Sequence, residues 1–558
     1  MNRPWLNFYD EGVPKRLDLP DITVPDYLRQ SAKEYPNHSA TVFIGAHLSY
    51  RQLLGKVQRL AAALHQMGVR KGDRVGILLP NSPQMIISYY ATLWLGAVTV
   101  LTNPMYKESE LEHQWGDADV KVVITLDLMF PKVDAVCQKL GIERIIVTGV
   151  QDYLPAAKKL LLPLDLMRKG QWVKVAYNHR VQAFKHLVNR FQKKHPPVEL
   201  KPDDLACLQY TGGTTGLPKG AMLTHRNLTA SVLQIKLFLL QGHRKSEDKA
   251  VVILPIFHVY GMVIMNLGMH IAATLVLLPR PDISGLVDVI KNERPTFFLG
   301  VPALYVAVLN HKGIDKVDMT SIKVCFSGGA PLPVKVIEEF EARTQSRIAE
   351  AYGMTEAASV THVNPRRGVR KYGTVGVPTV GTDAKIVDAE NSDIELGPNE
   401  PGELLVKGPE IMKGYWNQPE ETANALHNGW LHTGDIATVD EDGYFTIVDR
   451  KKDMILSAGF NVYPREVEEV LYKHPKIEHA AVIGVPHRVR GERITAYIKL
   501  KANQTATTAE IRQYCKQHLA DYKVPRKIIF RNELPMSMAG KVLRRVLREE
   551  ALKTMNNE

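Results

Sequence analysis

Cysteine is scarce in this chain of 558 residues, with four in all, at 137, 207, 325 and 515. They are far apart and form no CxxC pair. That argues against a disulfide scaffold and a zinc site, and it fits a reducing compartment. Residues 1–12 contain no apolar stretch of the kind that forms a secretory signal, so secretion is not expected. Internal repeats and low-complexity tracts are absent. So are zinc-ligand patterns and recognition-helix signatures, and nucleic acid is not an expected partner. Unbroken apolar runs are lacking too. Met85 to Leu101 is interrupted by Ser88, Thr92 and Gly96, and Met262 to Leu278 holds Asn266 and His270 ahead of Pro279. Both border on the roughly 18–20 residues that cross a bilayer. Each reads instead as a buried helix running into a buried strand, with Gly96 and Ala272-Ala273 where the helix would end.

What is present is the balance of a folded globular chain: 45% apolar and 23% charged residues. The length exceeds a single core and predicts two or three domains. The net charge of +12 suits polyanionic small molecules or an anionic membrane surface. Much of the surplus is local. Between residues 156 and 194, ten Lys or Arg face one acid, Asp165, with Leu160, Leu161, Leu162, Leu164, Leu166, Met167 and Trp172 interleaved. Such a segment can lie on an anionic bilayer. It reads equally as a surface insertion whose leucines pack back on the body.

Hydrophobic periodicity predicts strand, turn and helix over 41–66, and strands at Asp73–Leu79, Val122–Leu126, Ile142–Val150, Val251–Leu254, Thr296–Gly300 and Ile322–Ser327. This alternation implies an α/β fold of doubly wound layers. From Pro401 the texture is turn-rich with short strands, a β-rich subdomain. The charged run Asp449-Arg-Lys-Lys-Asp453 reads as a domain junction. Beyond it, helices at Pro464–Lys473 and Thr508–Leu519 alternate with strands at 480–485, 494–500 and 527–530, a small α+β unit.

The segment Tyr210-Thr-Gly-Gly-Thr-Thr-Gly-Leu-Pro-Lys-Gly220 packs four glycines, three threonines and a lysine into eleven residues. Glycines admit backbone N–H groups close to an anion, threonines add donors, and lysine adds charge. With an apolar strand at 205–210 and a helix over 224–240, it reads as a phosphate-wrapping strand-to-helix turn. It is not a Walker A sequence: Leu217 and Pro218 separate Gly216 from Lys219, and Gly220 follows where Ser or Thr is required.

The loop resembles the nucleotide loop of the acyl-adenylate-forming superfamily, which holds acyl-CoA synthetases, luciferases and peptide-synthetase adenylation domains. Most members carry Ser or Thr where Gly212 stands. Gly there recurs in bacterial long-chain fatty acyl-CoA ligases, which the whole chain resembles. Five further segments fall in the order that the superfamily requires, so the matches span about 205 to 545. They are Leu254-Pro-Ile-Phe-His-Val-Tyr-Gly261, Ser327-Gly-Gly-Ala330, Tyr352-Gly-Met-Thr-Glu356, Asn428-Gly-Trp-Leu-His-Thr-Gly-Asp435 with Val448-Asp-Arg-Lys-Lys452, and Pro535-Met-Ser-Met-Ala-Gly-Lys541.

The resemblance implies roles. Thr211, Gly212, Gly213, Thr214, Thr215 and Gly216 would wrap the nucleotide phosphates, with Lys219 supplying charge. Gly328, Gly329 and Ala330 would face adenine, beside Tyr352, Gly353 and Met354, with Tyr352 stacking on the purine. Thr355 would donate to the α-phosphate. Glu356, with Thr214, would hold Mg²⁺. Asp435 and Arg450 would bind the ribose. Lys541 would bridge the substrate carboxylate and the α-phosphate. His258 would line the acyl entrance, although a lone His is often only structural, and Gly459 in Ser457-Ala-Gly-Phe460 would line the pantetheine path.

The implied architecture is a large adenylate-forming domain over 1–449, a hinge at 450–453 turning about Lys452, and a mobile lid over 454–558. The implied activity joins a medium-to-long-chain fatty acid to CoA through acyl-AMP, using ATP and Mg²⁺. Alternatives are a ligase for another class of acid, an acyl-AMP ligase feeding a carrier protein, a membrane-bound fatty-acid trap, and a light-emitting monooxygenase, the last without a sequence signal of its own. The expected place is the cytoplasm, with the basic segment against the inner membrane face. The sequence is compatible with a homodimer and does not fix the oligomeric state.

Overall fold

Runs of Val, Ile and Leu bounded by Gly, Asp or Pro become the central strands of two sheets. The computed structural model describes residues 3–155, 158–159, 168, 172–192, 196–211, 218–243, 245–457, 460–487, 491–536 and 542–556. Among them, one sheet has nine strands in the order Val377–Pro378, His362–Val363, Ile348–Tyr352, Val324–Gly328, Phe297–Gly300, Lys249–Val252, Thr274–Leu277, Ser39–Phe43 and Ala46–Ser49. From Ile348–Tyr352 across to Ser39–Phe43 the pairings are parallel, and the three outer ones are antiparallel. A second sheet has seven strands: Val181–Ala183, Arg144–Thr148, Val120–Leu126, Arg74–Leu78, Val98–Leu101, Leu205–Thr211 and Lys219–Thr224. Only its last pairing is antiparallel.

Helices are packed between the sheets. Pro83–Trp94 is buried from Pro83 to Leu93, and Val259–His270 from Val259 to Met269. A helix apolar on every side must be enclosed by protein or lipid, and here protein encloses it. Two of the polar residues that interrupt the apolar runs are paired internally: Thr92 donates to the Ser88 carbonyl at 2.8 Å, and Asn266 accepts from Tyr90 at 2.9 Å and donates to the Tyr89 hydroxyl at 3.0 Å, while the buried Ser88 Oγ has no partner among the described residues. Asn81 ties the layers by donating to the carbonyls of Val252 and Leu254 at 3.1 and 2.9 Å. No helix among the described residues is long and apolar enough to cross a membrane.

One reading needs correction. The segment around 210–220 is not a strand-to-helix turn. Gly220 to Thr224 pairs antiparallel with the strand Leu205–Thr211, so the loop tips a β-hairpin, and the helix His225–Leu239 begins only after Thr224 caps it. The described part of the basic segment packs on the body, in line with the second of its two readings. Val181–Ala183 extends the seven-stranded sheet, and Phe184, Leu187 and Val188 of the helix Phe184–Arg190 are buried. Its leucine-rich part, 160–167, lies outside the described residues.

A five-stranded antiparallel sheet (Asp383–Val387, Gly402–Lys407, Trp430–Val439, Leu426–His427, Phe445–Arg450) leans on the nine-stranded one, where Phe445 exchanges backbone hydrogen bonds with Val375 and Gly376, both 2.8 Å. The last strands, from Ile455 to Phe530, form a fourth sheet with a core of its own. Alternation along Ile477–His487 sends Ala480 and Val482 toward helices Pro464–Tyr472 and Thr508–His518, and Ala481, Ile483 and Val485 toward Leu547. Leu547 belongs to a helix, Arg544–Asn556, that the charge-rich C-terminal sequence did not predict. The protein is thus α/β, with a large N-terminal part of parallel sheets and a smaller C-terminal part.

The N-terminal arm laces this assembly. Trp5 and Phe8 meet Phe445 and Tyr444 edge-on. Asp10, 2% exposed, accepts the backbone N–H groups of Arg366, Arg367 and Gly368 at 3.0, 3.0 and 2.6 Å. Asp10→Ala strips three partly buried hydrogen bonds of their acceptor. It is expected to cost at least about 2 kcal/mol and to lower the melting temperature of the N-terminal part by several degrees. An unchanged melting curve would show that the arm contributes nothing to stability.

Candidate active site

The strand Ile348–Tyr352 delivers Tyr352 to the edge of a cleft, and the chain then doubles back sharply. A Cβ placed on Gly353 would lie 1.6 Å from the Ser359 carbonyl oxygen, so no other residue fits. The loop closes through Ala357 and Ser359, which both donate to the Met354 carbonyl at 3.1 Å. This turn fixes Thr355, half-buried, and Glu356, 9% exposed.

Glu356 accepts a hydrogen bond from the Tyr415 hydroxyl at 2.8 Å. Tyr415 lies in a segment that runs beside the strand Lys219–Thr224: Met222 donates to Gly414 at 2.9 Å, Lys413 to Met222 at 3.0 Å and Trp416 to Gly220 at 2.8 Å. Lys219, paired in register with Thr211, thereby comes over the Tyr415 ring, 5.1 Å from its centre, and forms an ion pair with Glu421. The base of the 210–220 hairpin and Glu356 thus meet at one tyrosine.

Beside them, Asp435 is 2% exposed. Its Oδ2 accepts from the Tyr352 hydroxyl at 2.5 Å and its Oδ1 faces Arg450 Nε at 2.7 Å. Asp435 and Arg450 are direct partners across antiparallel strands. Burial, then the Asp435 charge, pushes the Tyr352 hydroxyl well above its ordinary value. For Arg450, burial works to lower the pKa, and Asp435 with Tyr352 and Glu356 overcomes it.

Gly328 ends the strand Val324–Gly328, and Gly329, at φ +84°, turns the chain outward with Ala330 exposed. Tyr260 backs this platform, donating to the carbonyls of Phe326 and Gly300 at 3.2 and 3.3 Å. His258 caps the helix Val259–His270, its Nδ1 accepting from Tyr260 N at 3.3 Å. His258 is exposed at the surface, yet the protein packed around it lowers its pKa. Gln209 links this segment to the hairpin by donating to the Phe257 carbonyl at 2.8 Å.

Lys452 sits in the short turn Lys451–Asp453 that leads out of the strand Phe445–Arg450. Gly212, Gly213, Thr214, Thr215, Gly216, Gly459 and Lys541 lie outside the described residues. Two residues of this cluster, Tyr415 and Glu421, were missed from the sequence. The only signal was the aromatic pair Tyr415-Trp416 after Gly414, in a stretch that otherwise reads as loop.

Residues 28–416 match the AMP-binding enzyme family and residues 466–541 the AMP-binding enzyme C-terminal domain. The chain belongs to the AMP-binding enzymes. It is 42% identical over 551 residues to a long-chain-fatty-acid–CoA ligase of Bacillus subtilis (strain 168), covering 98% of each chain. It is 37% identical over 564 residues to one of Escherichia coli O157:H7, covering 100% of both. The solved structure of ATP-bound MatB from Rhodopseudomonas palustris superposes with a TM-score of 0.84 at 30% identity, over 95% of this chain and 99% of that one.

One buried acid borders the cleft. Glu350, 8% exposed and two residues before Tyr352, leaves Oε2 without a partner among the described residues, and burial raises its pKa to about 7. A carboxyl held above its unfolded value stabilises the fold fully below the unfolded pKa. That contribution is lost as pH rises through about 7. Glu350→Gln, always neutral, should therefore match the parent near pH 5 and exceed it at pH 8 by on the order of 2–3 kcal/mol. Urea unfolding at both pH values checks this, and an equal difference at the two would refute it.

Proposed function

We propose that this chain is an ATP-dependent ligase that activates a medium-to-long-chain fatty acid as acyl-AMP and transfers the acyl group to CoA, releasing pyrophosphate and AMP. The observation that carries the reading is the meeting of Lys219 and Glu356 at Tyr415, beside the Tyr352–Asp435–Arg450 cluster. The names of the fatty-acid ligases aligned along the whole chain supply the substrate class.

A carboxylate is a poor electrophile and must be activated. Its oxygen attacks the α-phosphorus of ATP, and the bond to pyrophosphate breaks. Tyr352 offers an aromatic face to the purine against the Gly328–Ala330 platform. Asp435 and Arg450 take the ribose hydroxyls. Lys219, Thr355 and the loop 211–216 neutralise the phosphates, and Lys541 bridges the carboxylate and the α-phosphate. Positioning supplies most of the rate, because little covalent chemistry falls to the protein.

The described residues hold no cluster of three or more metal-binding side chains. A single carboxylate, Glu356, still suits Mg²⁺, which takes one or two protein carboxylates and completes its shell with phosphate oxygens and water. With Thr214 on the loop, Glu356 would hold it. When bound, the ion draws charge off the polyphosphate.

In the second step the CoA sulfur attacks the acyl carbon and AMP leaves. We assign the swing between steps to a lid over 454–558 turning at 450–453 about Lys452, with Gly459 on the pantetheine path and His258 at the acyl entrance. Water kept out of the cleft would spare the anhydride.

AMP release that requires both ATP and CoA is expected with palmitate and octanoate and at least tenfold less with 4-coumarate. The reverse preference would make this a ligase for aromatic acids, and release without CoA would favour transfer to another acceptor. Lys541→Ala should abolish acyl-AMP formation yet spare thioester formation from supplied acyl-AMP. Equal loss in both half-reactions would overturn the role given to Lys541.

A further inference from the structure

The Lys219 ammonium does not stand bare in the cleft. It pairs with Glu421, whose side chain is 48% exposed, and rests over the face of Tyr415. Tyr415 in turn spends its hydroxyl on Glu356. Four side chains from three separate stretches of sequence form one chain of contacts: Glu421, Lys219, Tyr415, Glu356.

The tyrosine is gripped from both sides. Its backbone N–H donates to Thr422 Oγ1 at 2.8 Å, and Thr422 Oγ1 donates to Gln418 O at 2.8 Å, on the same short helix, Pro419–Ala425, that carries Glu421. Gly414 lets Thr422 approach, since a Cβ there would lie 2.5 Å from its methyl group. The edge-strand hydrogen bonds fix the other side. Ring, hydroxyl and helix therefore move together or not at all.

A lysine meant for phosphate needs an anion when phosphate is absent, and an exposed carboxylate can give it up at small cost. A carboxylate meant for a hard cation needs its orientation set beforehand. We propose that Tyr415 is a positioning residue that spaces Lys219 from Glu356 to the reach of one polyphosphate, and that Glu421 is the counter-ion which the polyphosphate replaces. This rests on the ligase reading for the identity of the polyphosphate but not on the acyl chemistry.

The test uses the full chain and its Glu421→Gln, Tyr415→Phe and Glu420→Gln variants. The last removes the same charge from the neighbouring, exposed position. Calorimetric binding of ATP and of inorganic pyrophosphate is measured with and without Mg²⁺, alongside KM values for ATP and palmitate. Glu421→Gln should tighten ATP and pyrophosphate together by about two- to fivefold, while Glu420→Gln and the palmitate KM stay within error. Tyr415→Phe keeps the ring under Lys219 but frees Glu356. It should raise the Mg²⁺ concentration for half-maximal ATP binding several-fold and leave metal-free ATP binding as it was.

Glu421→Gln binding equal to or weaker than the parent overturns the counter-ion role. Tyr415→Phe weakening ATP equally with and without Mg²⁺ overturns the positioning role. A parent chain that binds ATP while palmitate gives no AMP would sink the ligase reading and leave this inference to the binding data. A parent that binds neither ATP nor pyrophosphate sinks both.

Discussion

A carboxylate that is 2% exposed must be matched by charge and hydrogen bonds, or the fold could not bury it. Asp435 is matched on both oxygens, by the Tyr352 hydroxyl and by Arg450. Each partner belongs to a different part of the molecule. Tyr352 ends a strand of the nine-stranded sheet, and Arg450 ends a strand of the antiparallel sheet next to the junction turn. The cleft exists because this carboxylate draws the two together, and the aromatic face of Tyr352 takes its position from the same bond.

Strand alternation extends the reach of that interaction. Asp449 and Arg450 are adjacent and so point to opposite faces. Arg450 turns in to Asp435, while Asp449 accepts from Arg465 N at 2.6 Å and from Arg544 at 3.1 Å, both in the C-terminal part. Arg544 also reaches Asp453 at 3.2 Å and Glu468 at 2.5 Å. The C-terminal sheet is thus seated by charge-assisted hydrogen bonds at the end of the strand that builds the cleft. Such contacts can exchange partners, whereas a merged apolar core cannot. The separate core of the C-terminal sheet fits a unit seated this way.

The α/β architecture was legible because its cause is local. Alternating apolar strands and helices announce themselves within a dozen residues, and the two apolar runs ended at Gly96 and Ala272-Ala273 as a buried helix and strand would. The grouped motifs were legible as motifs. Gly353 shows why: the Ser359 carbonyl leaves no room for a side chain, so the requirement is written in one residue. Other features were hidden by distance. Nothing around residue 415 tells that its hydroxyl will meet position 356, and Glu421 is 202 residues from Lys219. The hairpin at 210–220 was misread because Gly220 to Thr224 is short and mildly apolar, and only its pairing with Leu205–Thr211 makes it a strand. The helix Arg544–Asn556 escaped because a single leucine, Leu547, anchors it deeply in an otherwise charged run.

The overall charge of +12 turns out to say little about the cleft. Two cations among its described residues are already paired: Lys219 with Glu421, Arg450 with Asp435. Low local dielectric makes this unavoidable, since an unpaired charge in a recess costs several kcal/mol, while a paired one costs far less. An incoming polyanion therefore exchanges partners with charges that already stand in place. The energy of exchange depends on how firmly each resident acid is held. Asp435 is buried and doubly bonded, and Glu421 is half exposed with Lys219 as its partner among the described residues, which it can release to water. On the proposed function, the outer pair opens and the inner stays, so a nucleotide would find its sugar end rigid and its phosphate end yielding.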